Sequence, residues 1–281
     1  MKKVVEFTRF ASWIDDYCRK STHHLIKDSG KMMQICLELE PQIPNEYHWK
    51  YSSVESFKIQ MAGAKGSKEI NELYWKDQLR NLEAYSIISY WRTIELLKPA
   101  VRCLNIHDIV SAAVLSRSLL ELSTVYIINA NKIDATFGTL EFPPKTLVMS
   151  DETEALIVKM IWGTRLGTPE PYLNQTNILS LIQKLSKKPN ASELLPTYEY
   201  LCELAHPNVI GNTRFWSHIE HVYDDGSERR LIAKKAKGDL VDEIVDKILW
   251  SIGWAAVCTR NSFAMMSNSI SGVLVKLQES T

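Results

Sequence analysis

Residues 109–128 read Ile-Val-Ser-Ala-Ala-Val-Leu-Ser-Arg-Ser-Leu-Leu-Glu-Leu-Ser-Thr-Val-Tyr-Ile-Ile, and Arg117 and Glu121 are the only charged side chains among these twenty positions. The stretch predicts a helix buried inside protein. As a membrane span it would carry each ion near its centre at about 2.5–3.5 kcal/mol, whereas a protein interior offers partners. The same argument turns a second apolar stretch, 248–275, away from the membrane, because Arg260 and Asn261 lie in its middle. Helical spacing of i, i+4 sets Arg117 and Glu121 on one face, with Val110, Val114, Thr124 and Ile128. An ion in a low-dielectric core needs a counter-charge or an opening to water. Two readings of the pair follow: a buried structural salt bridge, or the lining of a site. Arg before Glu is the weaker order for a local helical pair, which counts against a purely helix-stabilising role.

Helical periodicity extends to both sides. Upstream, Leu73, Leu79, Leu82, Ile87, Ile88, Trp91, Ile94 and Leu97 predict a long helix from 67 to about 102, with Pro99 placed to bend or end it. Asn105 reads as the N-cap of the next helix, which runs to about 131, and so short a connection implies an antiparallel helical hairpin. Before it, two apolar stripes (Phe10 to Cys18, and Met32 to Leu39) give N-terminal helices separated by Gly30 and closed by Pro41 and Pro44. Downstream come a loop over 134–150, a helix from Asp151 to near Gly163, and a loop over 167–171. A short helix then opens at Thr176-Asn177, and another follows over 197–205 with Pro196 in its first turn. One segment differs: 214–223 and 228–234 flank Asp224-Asp225-Gly226-Ser227 and read as a β-hairpin. Asp239 caps a last helix running to about 276. The fold class is all-α, a helical bundle with long antiparallel helices and one small β-hairpin excursion. Its parts are N-terminal helices over 1–66 and a bundle over 67–281, together one compact domain.

With 33 basic against 33 acidic side chains in 281 residues, the chain lacks the charge footprint of a duplex-binding protein. Its five cysteines are odd in number and show no CxxC spacing, as free thiols in a reducing cytosol would be. The first residues carry no apolar run of signal-peptide length, and with the free thiols this leads us to expect a cytoplasmic protein. Phosphate-cradling GxxxxGK[ST] and GxGxxG motifs are absent, as are GxSxG and HExxH, so a kinase, dehydrogenase or hydrolase of the usual kinds is not expected.

Further candidates lie elsewhere. His206 precedes Pro207 and so ends its helix; a helix C-terminus favours imidazolium, and Glu121 or Glu203 nearby would add to that. The alternative is a His that satisfies the last carbonyls of its helix. Asn208 either binds substrate or caps a turn. Arg260, alone in an apolar helix, calls for an anion: Glu121 or a ligand phosphate. Arg19 and His24, and Arg102 and His107, match the Arg-x4-His spacing of one class of helical ribonucleases, and Arg214 with His221 a looser form. Cys202, His206, His218 and His221 could together form a tetrahedral zinc site, but without CxxC or HxxxH no metal is expected, and no cofactor.

Ser116-Arg117-Ser118-Leu119-Leu120-Glu121, taken with Tyr198, Leu201-Cys202-Glu203 and His206-Pro207-Asn208, resembles poorly characterised bacterial proteins of the HEPN-like helical superfamily. These pair an R-S-L-x-E helix with a later Y-x-x-L-x-x-x-x-H segment, and the resemblance spans about 73–208. It implies a helical bundle that dimerises or joins a protein complex. It also implies either a metal-independent ribonuclease of a toxin–antitoxin or phage-defence system, acting on RNA or nucleotides, or an inactive binding module. Arg117, Glu121 and His206 are the matched positions, with Asn208 and Arg260 as further binding residues. The departure is that no Arg lies four to six residues before His206. In the catalytic reading His206 moves a proton of the ribose 2′-OH, Arg117 holds the phosphate and Glu121 orients one of them.

Overall fold

A computed structural model describes residues 8–50, 52–164, 173–206, 208–233 and 241–279. In chain order the helices are α1 (Ser12–Lys20), α2 (His24–Lys27), α3 (Ser29–Leu37), α4 (Val54–Gly63), α5 (Ser67–Asn105), α6 (Ile109–Gly138), α7 (Asp151–Trp162), α8 (Ile178–Leu185), α9 (Leu194–Ala205) and α10 (Val209–Trp216). A hairpin of β1 (Ser217–Val222) and β2 (Glu228–Ile232) follows, and then α11 (Val241–Glu279). The fold is therefore all-α with one small antiparallel sheet. Asp239 and the 167–171 loop lie outside the described residues.

Two compact units divide the chain. One gathers Met1–Leu39, Arg92–Thr124 and Ile178–Cys258; the other gathers Glu40–Trp91, Val125–Asn177 and Thr259–Thr281. The three longest helices, α5, α6 and α11, each contribute residues to both, while α1–α3 belong to the first and α4 to the second.

In the first unit, α1 is tied down by Asn105, whose side chain accepts from the Ala11 amide at 2.8 Å and donates to the Arg9 carbonyl at 2.8 Å. Asn105 is thus the last residue of α5, not a cap for α6. Asp108 holds the start of α6, its carbonyl accepting from the Ala112 amide at 3.0 Å. Between them His107 takes a left-handed φ of 60°. The Asp108 amide then reaches the Cys103 carbonyl at 2.8 Å and the His107 amide the Leu104 carbonyl at 3.0 Å, the paired bonds that close a helix C-terminus. The His107 ring stacks on Trp13 at 4.4 Å. Gly30 lies inside α3 rather than between helices; the break falls earlier, at Ser21 and again at Asp28. Tyr17 joins α1 to the start of α11, donating to the Asp242 carbonyl at 2.8 Å and to Asp246 Oδ1 at 3.0 Å.

The second unit shows the direction of its long helices. Tyr85 of α5 meets Tyr126 and Asn129 of α6, while Trp75, three turns earlier, meets Phe137, three turns later. The two therefore run antiparallel, as so short a connection requires. In α11, Phe263 packs on Tyr90, Ser269 donates to Asp134 and Lys276 reaches the carbonyls of Phe137, Gly138 and Leu140. So α11 runs parallel to α6, and its Lys276 ammonium sits at the carbonyls of the α6 C-terminus, where a cation is favoured. The core is Tyr74, Trp75, Leu79 and Leu82 against Tyr126, Ala130, Ile133 and Phe137, closed by Met266, Val273 and Leu277.

Two boundaries differ from expectation. The helix α6 continues to Gly138, since Ile133 and Phe137 extend the apolar stripe of Tyr126 and Ala130 and are buried with it. The helix α5 continues through Pro99 to Asn105, with Leu97, Ala100, Val101 and Leu104 all fully buried around it. Proline removes one backbone donor and strains one turn, and burial of these four side chains outweighs that. Among the described residues α6 is the one helix long and apolar enough to cross a membrane, and 44% of its most apolar window is buried.

Candidate functional site

On α6, Ala112, Ala113, Ser116, Leu119, Leu120 and Ser123 form the fully buried stripe. Their spacing of three and four turns one face of the helix inward. Arg117 and Glu121 lie beside that stripe, not within it, and each side chain keeps about a third of its surface exposed (33% and 34%). The sequence argument set them in a greasy interior; the helix instead brings them to its margin. Of the residues expected on the same face, Val114 is itself exposed, while Thr124, one turn beyond Glu121, is fully buried.

The two pair. Arg117 Nη2 stands 3.1 Å from Glu121 Oε1, and the same oxygen accepts from the Tyr198 hydroxyl at 2.9 Å. Tyr198 comes from α9, whose inward face is Leu194, Thr197, Tyr198, Leu201 and Leu204. Its ring carries the guanidinium above it, with Cζ 5.8 Å from the centroid, within range of a cation–π attraction. Burial works against the guanidinium's charge, but the Tyr198 hydroxyl, Cys202 and Glu121 more than offset it and hold Arg117 above its ordinary value. Burial, with the Glu121 bond adding to it and Arg117 opposing, pushes the Tyr198 phenol up to about 12. Arg117 Nε is buried and has no hydrogen-bond partner among the described residues. The result is a cross-helix clasp of one cation, one carboxylate, one phenol and one thiol.

His206 is not part of the clasp. It closes α9 in extended geometry (φ −85°, ψ 140°), its amide donating to the Cys202 carbonyl at 3.1 Å. Its side chain is exposed, and among the described residues no hydrogen bond or ion pair joins it to Arg117 or Glu121. Pro207 lies outside the described residues. Asn208 turns out to be a cap: its Oδ1 accepts from the Gly211 amide at 2.6 Å at the start of α10, and its Nδ2 donates to Glu203 Oε2 at 2.9 Å. Both ends of the amide are thereby occupied. Asn208→Ala is expected to destabilise the chain by about 1 kcal/mol, as loss of an N-cap does, read by urea unfolding.

Arg260 is exposed on α11, so it needs no buried anion, and it belongs to the second unit while Arg117, Glu121 and His206 belong to the first. The Arg-x4-His pairs are likewise engaged elsewhere: Arg19 pairs with Asp16, His24 stacks on His23, and His107 stacks on Trp13. The side chain of Arg214 lies outside the described residues. Cys202, His206, His218 and His221 are not gathered into a metal-holding group among the described residues.

Sequence reasoning quoted Tyr198 only as part of a resemblance and Cys202 otherwise only as a zinc candidate, and gave neither a role beside Arg117 and Glu121. Their i, i+4 spacing on one face of α9 was the available signal. Comparison with protein-family models, curated proteins and solved structures gives no match for this chain.

Proposed function

We propose that this chain is a non-catalytic helical interaction module of the cytoplasm, acting as a dimer or as a subunit of a larger defence or regulatory complex. One observation carries this reading. The Arg117 guanidinium is already neutralised by Glu121 and seated on Tyr198, while His206 is exposed at the end of α9 and shares no hydrogen bond or ion pair with either among the described residues. Metal-independent cleavage of RNA needs a proton acceptor and a phosphate-binding cation within reach of one scissile group. A clasp whose cation is spent on its own carboxylate suits a joint between α6 and α9 better.

A second reading, a metal-independent ribonuclease resembling HEPN-like proteins, draws on the one-third exposure of both Arg117 and Glu121, which leaves the pair open to solvent. There Arg117 would hold the phosphate, His206 would move the proton and Glu121 would orient one of them. Incubating the purified chain with a mixture of structured and single-stranded RNAs separates the two. The expected result is no cleavage above background, unchanged in His206→Ala and Arg117→Ala. Cleavage by the wild type that either substitution abolishes establishes the nuclease instead.

A further inference from the structure

We propose that α2 is held by a pH-operated catch: neutral His23 caps the helix, and protonation of its ring releases the cap and turns His23 toward the carboxylates of Glu193 and Asp246. The device lies within the first unit and does not depend on how the Arg117 clasp is used. His23 stands just before α2 with extended backbone angles (φ −79°, ψ 119°), and its Nδ1 accepts from the Leu25 amide at 3.3 Å. A backbone N–H only donates, so Nδ1 is the bare nitrogen and the ring proton sits on Nε2. Imidazolium carries a proton on both nitrogens and has no acceptor to offer. Protonation therefore sets one N–H against another, and the bond cannot survive it. An Asn, Ser or Thr cap would be indifferent to pH; a histidine cap is not.

The surroundings make the two states distinct. The neutral ring is partly buried and stacks on His24 at 5.1 Å. Burial first, and then His24 and Lys247, disfavour a charge there, while Glu193 before α9 and Asp246 on α11 favour it; the balance holds His23 below its ordinary value. Glu193 faces Lys247 Nζ at 3.8 Å, and Asp246 Oδ1 accepts from the Tyr17 hydroxyl at 3.0 Å. Each carboxylate has a second oxygen to offer an imidazolium. The helix α2 is a single turn of four residues, so its cap is a large part of what holds it. Leu25 and Ile26 are buried beneath that turn, and the Ile26 carbonyl accepts from Ser29 Oγ at 2.8 Å. Release of the cap frays this turn first and bares Leu25 and Ile26, so the surface that the first unit presents changes with acid. The direction follows from linkage. An unfolded histidine titrates at about 6.5, and the folded ring titrates lower, so the unfolded chain binds the proton first. The contribution of the cap is complete above the unfolded value and is lost as pH falls through the folded one.

The test is amide hydrogen exchange of the full chain, followed residue by residue by NMR between about pH 7.5 and 5 and corrected for the intrinsic pH dependence of exchange. Wild type should lose protection at Leu25, Ile26 and Lys27 by roughly fivefold, the factor that a helix cap is worth, while the middle of α6 stays protected. His23→Asn supplies an amide oxygen that does not titrate, and its protection should stay level across the range. His23→Ala should be open at every pH. His24→Asn should keep the wild-type loss but displace it toward higher pH, since one opposing charge is gone. The ring nitrogen shifts of wild type add a reading that needs no variant: at neutral pH Nδ1 of His23 should be the nitrogen without a proton. Wild-type protection over 24–27 that does not change with pH, a His23→Asn chain that still loses it, or a neutral ring with its proton on Nδ1 overturns the proposal.

Discussion

Replacing Trp75 by Ala is expected to destabilise the second unit by roughly 3–5 kcal/mol, the range for removing a large aromatic side chain from a close-packed core. No part of the Trp75 side chain reaches solvent. Its ring meets three others edge-on, Tyr74 at 5.3 Å, Phe137 at 5.7 Å and Phe142 at 5.9 Å, and so joins α5 to the end of α6 and to the chain beyond it. Three ring edges cannot close over a methyl group, so a cavity remains in addition to the lost transfer energy. The indole also donates to the Val148 carbonyl. Trp75→Phe separates these effects: it keeps most of the volume, strands that carbonyl, and should cost about 1–3 kcal/mol. Urea unfolding followed by far-UV circular dichroism measures both without relying on the fluorescence of the residue removed. If the two substitutions cost the same, the hydrogen bond and not the packing sets the stability of this region.

Much of this arrangement was legible in the sequence because burial follows spacing. The stripe through Tyr126, Ala130, Ile133 and Phe137 was present to be read, and stopping the helix near residue 131 missed its last two members. The Asp-Gly turn located the hairpin, because Gly226 supplies the φ of +79° that the turn requires. Asn105 was harder. A side chain that caps a helix and one that ties a distant segment offer the same amide, and only the position of Arg9 and Ala11 decides between them. Pro99 was read as a place to bend or end a helix whose apolar spacing ran to about 102; the helix passes through it to Asn105, with four buried neighbours around it.

The candidate site was legible only in part. That Arg117 needs a counter-charge followed from its surroundings, and Glu121 supplies it one turn away. Which face they occupy did not follow, because the buried stripe of α6 is built partly from Ala and Ser (Ala112, Ala113, Ser116, Ser123), small side chains that carry little apolar signal. Leu and Val residues mark a buried face more loudly, and so the charged pair was assigned to the interior. Tyr198 was given no role beside the pair because a tyrosine in an apolar helix usually reads as core, and here it is core in its ring and a hydrogen-bond donor at its tip.

Two glycines on the same helix should respond to alanine with opposite signs. Gly272, in the last third of α11, has nothing within 4 Å of an added Cβ, so Gly272→Ala should stabilise by about 0.5–1 kcal/mol through helix propensity and a less flexible unfolded chain. Gly253 gains the same intrinsic preference, but its Cβ would stand 2.4 Å from the Leu25 carbonyl oxygen and 3.5 Å from Ser29 Cβ. The obstructing atom is backbone at the α2 helix, so no rotamer change clears it; α2 or α11 must shift, carrying Leu25 and Ile26 out of the core they fill. Overpacking of this kind commonly costs about 1–3 kcal/mol and exceeds the propensity gain. The net loss for Gly253→Ala should be about 1 kcal/mol, measured by urea unfolding beside Gly272→Ala. A stabilised Gly253→Ala would mean that α2 yields at little cost, and the close approach of the two backbones would then be a consequence of the glycine, not a requirement of the fold.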